Sequence, residues 1–129
     1  MKNKMMKYLV FITLLTVSGF VRADWVLVDE TSIGNKFYVD LESRKFSGDV
    51  VKFWEFVDYS EKNYGEGKSG RYLEEYDCKN EVSRLLYVTV FSGHNLTGYT
   101  SLDKPSSNQS WEPVPPNTPY YKILKTICH

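Results

Sequence analysis

The side chains best suited to chemistry are few in this sequence and scattered. Its 129 residues hold two histidines and two cysteines. His94 falls in a turn-like segment, Ser92-Gly93-His94-Asn95, and His129 is the last residue. Neither has a second ligand at metal-site spacing. Cys128 and His129 are adjacent, the residue types of a thiolate–imidazole nucleophile. A terminal residue frays, however, and Cys128 is better accounted for as half of a disulfide. Glu74 and Glu75 point to opposite faces of a strand, so they cannot serve one bond as acid and base. Glu74 itself reads as a rim carboxylate bonded to a tyrosine hydroxyl. Gly65-Glu66-Gly67-Lys68-Ser69-Gly70 has glycines and a lysine, but not the strand–loop–helix setting of a phosphate loop. The expectation is a non-enzymatic chain with no catalytic residues, no metal site and no cofactor.

The elements around these residues say more. Lys2, Lys4 and Lys7 precede an apolar stretch from Tyr8 to Val17, and Val21-Arg22-Ala23 offers small residues where a signal peptidase reads. Residues 1–23 are therefore expected to be a cleavable export signal, too short for a comfortable membrane span, with one domain at 24–129. Four of the sixteen basic residues leave with the signal and none of the sixteen acidic ones does, so the remainder is acidic by four charges. An acidic domain is a poor nucleic-acid binder, because that binding is driven by phosphate neutralisation. In an oxidising compartment two cysteines suggest one bridge. A closed loop of about 50 residues would contribute roughly 4 kcal/mol in the chain-entropy account.

Short runs of β-branched and aromatic residues separated by turn signals predict an antiparallel sheet. Trp25–Val28, Phe37–Asp40, Val50–Tyr59, Arg71–Cys78, Val82–Phe91 and Leu96–Leu102 read as strands, with residues 60–70 a mobile loop and 103–110 a polar one. Val51, Phe53, Val57 and Tyr59 share one face of the third strand, with Glu55 among them. Trp54 is expected in the core, as is Trp111. The last segment changes period. Asn117 or Thr118 caps a helix with Pro119 at its first position. Tyr120, Ile123, Leu124, Ile127 and Cys128 then fall on one side. Cys78 lies on the Tyr72/Tyr76 face of its strand, so a Cys78–Cys128 bond would pin the helix to that face. The predicted class is α+β: about six antiparallel strands with a disulfide-pinned C-terminal helix. One helix covers one face, which leaves open an aromatic face used for dimerisation.

Trp25, Phe37-Tyr38-Val39-Asp40, Gly48-Asp49-Val50-Val51-Lys52-Phe53-Trp54, Glu75-Tyr76-Asp77-Cys78, Trp111-Glu112-Pro113-Val114 and a helix ending in Ile127-Cys128 follow in that order. The set resembles the surface-adhesin protein E family of Gram-negative bacteria, over essentially the whole chain after the signal. The resemblance implies a small antiparallel sheet with a packed terminal helix. It also implies protein partners: host matrix and serum proteins such as vitronectin and laminin, and a second copy in a homodimer. Basic residues ahead of the first cysteine, Lys68 and Arg71 here, are the ligand-binding residues it implies; read without it, they are solvated loop and edge-strand charges. The family's adhesin is a lipoprotein, and no cysteine follows the signal here to take a lipid. The expectation is thus a periplasmic or secreted protein, with a periplasmic accessory role as the alternative to adhesion.

Overall fold

The computed structural model describes residues 23–60 and 67–129. The expected export signal lies outside the described residues except for Ala23, as do residues 61–66 of the expected loop. The chain forms β1 (Trp25–Glu30), β2 (Lys36–Ser47), β3 (Val50–Asp58), β4 (Ser69–Asp77), β5 (Val82–Phe91), β6 (Thr100–Pro105), β7 (Glu112–Pro113) and α1 (Pro119–Ile127). Strands β1 to β6 pair with their sequence neighbours in one antiparallel sheet, and β7 adds to the start of β5. The expected α+β fold, six strands and one pinned helix, is the observed one.

Local chemistry explains the path. Gly48 and Asp49 join β2 to β3 in a two-residue turn, and Gly48 sits at φ +60°, a conformation glycine adopts without a Cβ penalty. Strand β3 alternates as its sequence says: Val51, Phe53, Glu55 and Val57 are all buried, and Glu55 pairs with Val39 on one side and Tyr72 on the other. An extra residue, Leu86, bulges out of β5, since Leu73 pairs with Tyr87 and Glu74 with Leu85. Its freed carbonyl accepts from Ser106 N at 2.9 Å and Gln109 Nε2 at 3.2 Å, so the bulge leaves no orphan acceptor there.

Helix α1 begins at Thr118, whose hydroxyl accepts from Tyr121 N. Asn117 before it has φ +63° and is not the cap. Ile123, Leu124 and Ile127 face the sheet and join Phe37, Val39, Val51, Phe53, Val57, Tyr76 and Val114 in the core. Three ties hold the helix. Cys78 and Cys128 are bonded with Cα atoms 5.8 Å apart. Lys122 Nζ donates to Asp29 Oδ1 on β1 at 2.8 Å. Arg44 Nη1 donates to Ile127 O at 3.1 Å, placing a cation where the helix dipole favours one.

Three expectations are corrected. The sixth strand runs Thr100–Pro105 rather than Leu96–Leu102: Asn95, Leu96 and Gly98 all have positive φ, which a strand excludes. The fourth strand starts at Ser69, inside the expected loop, and is an interior strand between β3 and β5, so Arg71 is no edge-strand charge. Trp54 and Trp111 are not in the core. Trp54 is half-buried on the face away from the helix, and Trp111 is 37% exposed.

Candidate functional site

The two faces of the sheet carry different chemistry. The face without a helix is aromatic and of mixed charge: Arg71 and Arg84 stand there beside Asp40, Glu75 and Asp103. Tyr38 stacks on Phe56 with ring centres 4.7 Å apart, and Trp25 tilts against Phe56 at 5.4 Å. The Arg71 guanidinium lies 5.0 Å from the Trp54 ring centre, and Arg84 lies 4.6 Å from that of Trp111, distances at which a cation is attracted by a ring face. Arg84 also pairs with Glu75 at 2.8 Å. Arg71 Nε is buried without a hydrogen-bond partner. Leu27 on β1 is 52% exposed.

Of the two residues predicted to bind ligand, Arg71 belongs to this face. Lys68 sits on an exposed bend just before β4, its backbone held by Tyr59 N and Phe91 O. The structure places them three residues apart along one strand entry, with only Arg71 engaged by an aromatic ring. His94 is tied down as well: its Nδ1 lies 3.2 Å from Asp58 Oδ1.

The helix-covered face holds a second feature, missed by the sequence reading. Beyond the aliphatic core, Glu55, Glu74, Val57, Leu85, Tyr59, Tyr72 and Tyr120 line a cavity of about 170 Å³. Glu55 is 1% exposed. Glu74 is half-buried as a residue, yet its Oε2 is sealed from solvent. The register puts these carboxyls diagonally across the β3–β4 pair, with Glu55 opposite Tyr72 and Phe53 opposite Glu74, a spacing long side chains bridge. Glu74 therefore meets a second carboxyl rather than the tyrosine hydroxyl expected for it. Burial pushes both acids upward in pKa; Glu55 rises further because the Glu74 charge and hydrogen bond oppose its ionisation. Of the two, Glu55 is the harder to ionise. Burial likewise raises the phenols of Tyr59, Tyr72 and Tyr76, and that of Tyr120 to about 12.

Gly70 makes this arrangement possible. A Cβ there would lie 2.3 Å from the Tyr72 hydroxyl, so only glycine lets the phenol fold back over the strand and meet Tyr59 Oη at 2.5 Å. The available signal for this feature was Glu55 itself, an acid inside an inward-facing apolar series. What local alternation does not reveal is which acid stands diagonally opposite.

Among the described residues no group of three His, Cys, Asp or Glu gathers to hold a metal ion, and no helix is long and apolar enough to cross a membrane. The fold is shared with solved structures. The chain is similar to Haemophilus influenzae protein E, at TM-score 0.56 and 19% identity over 84% of this chain and 88% of that one. A second crystal form of that protein gives 0.57 and 18% over 84% and 90%. Protein E from non-typeable Haemophilus influenzae gives 0.54 and 18% over 84% and 78%. No curated protein sequence matches. Residues 25–129 match the family model of surface-adhesin protein E, and the chain belongs to that family.

Proposed function

We propose that this chain is an exported, non-enzymatic protein-binding domain of the surface-adhesin E type, spanning residues 24–129 after loss of a signal at 1–23, and that it contacts host extracellular-matrix or serum proteins. The observation that carries the reading is the open sheet face. Arg71 over Trp54 and Arg84 over Trp111 bring together residue types enriched where proteins bind each other, and Leu27 adds exposed apolar surface at the β1 edge. Arginine and tryptophan in particular dominate interface hot spots. Lys68 and Arg71 are the basic residues that would meet acidic segments of a partner. Family membership supports protein binding as the role.

Protease treatment of intact cells tests the cellular half of this reading. Digestion of the domain at the surface, or its recovery from the medium, is the expected result. Complete protection until the outer membrane is opened would contradict adhesion and leave the periplasmic accessory role.

A further inference from the structure

Among the described residues the buried acids have no cationic partner. Glu55 is almost wholly buried and lines the cavity beside the first turn of the helix, and among the described residues its Oε1 has no hydrogen-bond partner; neither does Glu74 Oε2. A buried carboxylate oxygen left unmatched costs free energy, so such atoms mark either strain or a place for a donor. Tyr59, Tyr72 and Tyr120 supply aromatic walls. Once one of the two acids ionises, the pair carries a single negative charge for a cation to meet beside these rings.

We propose that the cavity bounded by Glu55, Glu74, Tyr59, Tyr72 and Tyr120 is a binding site for a primary alkylammonium group. The choice of cation follows from the orphan atoms. They are acceptors, and a primary ammonium brings three N–H donors. A quaternary ammonium brings none and would leave both oxygens unmatched. A divalent metal would want further oxygen ligands, and the lining offers only two carboxyls. The volume, about 170 Å³, admits a short alkylamine or the end of a lysine side chain but not a bulky polyamine. The site lies on the helix-covered face and is independent of the open-face reading above.

Titration of the isotope-labelled mature domain with n-butylammonium chloride, followed by amide NMR, tests this. Saturable shifts confined to β3, β4, the Leu85 region of β5 and the first turn of α1 are expected. Butan-1-ol, matched in shape but uncharged, should bind about tenfold to a hundredfold more weakly, the factor a charge-assisted hydrogen bond carries. Tetramethylammonium should not saturate. Glu55→Gln/Glu74→Gln, with its fold checked by the same spectra, should abolish the butylammonium shifts. Blocked lysine methylamide, run alongside, assigns the source: preference for it points to a partner's lysine side chain, and preference for butylammonium points to a free amine. Butanol binding as tightly as butylammonium would overturn the proposal without any variant. So would the absence of saturable shifts, or their survival in the double variant.

Discussion

Phe53 and Trp54 are neighbours in sequence and lie on opposite faces of one sheet. Phe53 is fully buried, edge-on to Tyr76 at 5.2 Å, beneath a helix that is tied down by a disulfide, an ion pair and an arginine cap. Trp54 is half-buried with a guanidinium over its ring. The first environment converts burial into stability. The second keeps aromatic surface and positive charge within reach of another molecule. Alternation along a single strand thus divides the domain into a helix-covered face and an open one.

The comparison can be broken by substitution, beginning with the largest effect. Phe53→Ala should cost about 3–5 kcal/mol, the usual loss for a buried aromatic. Trp54→Ala should cost about 1–2 kcal/mol, within the ordinary range for a residue outside the core. Urea denaturation of the pair measures both, and equal losses would erase the distinction between the faces. Next is the tether. Replacing Cys78 and Cys128 together by serine should cost about 2–4 kcal/mol, read as a lower thermal midpoint. A midpoint unchanged from wild type would mean the core alone holds the helix.

The acidic cavity predicts an unusual pH dependence. Glu55 and Glu74 keep protons in the folded state above their ordinary value of 4.5. The unfolded chain sheds those protons first. Stabilisation from the pair is therefore complete below the ordinary carboxylate range and is lost as pH rises through the folded values. The phenols facing the pair, Tyr59, Tyr72, Tyr76 and Tyr120, are raised and stay neutral across this window. The urea midpoint should fall as pH is raised from about 4.5 toward neutrality and beyond. Glu55→Gln, which cannot ionise, should flatten that slope; a slope identical to wild type would place the titration elsewhere. Smaller still is the helix cap: Thr118→Ala should cost about 1 kcal/mol, and no loss would mean that Pro119 and the bridge position the helix start unaided.

Much of this was legible in sequence, for identifiable reasons. The alternation of Val51, Phe53 and Val57 gave β3 and its inward face. The Thr118-Pro119 start and the Ile123, Leu124, Ile127 spacing gave the helix. Cys78 on the Tyr72/Tyr76 face predicted where that helix docks. β6 was misplaced because Thr100–Pro105 is exposed throughout and carries no apolar alternation. The size of Trp54 and Trp111 suggests core positions, but the single helix covers only the other face of the sheet. The Glu55–Glu74 pair depends on the register between strands, which the pattern of either strand alone does not contain.

The claim that the open face is where this domain meets protein partners is tested most directly by Lys68→Ala/Arg71→Ala/Arg84→Ala. Arg71 Nε is buried and the Arg84–Glu75 pair is only partly exposed, so stability should fall by about 1–2 kcal/mol, the ordinary range for losses outside the core, and binding is compared at a temperature where the variant is folded. Binding to immobilised vitronectin or laminin should weaken by about tenfold or more, as loss of an arginine hot spot does. Undiminished binding by a folded triple variant would contradict the account.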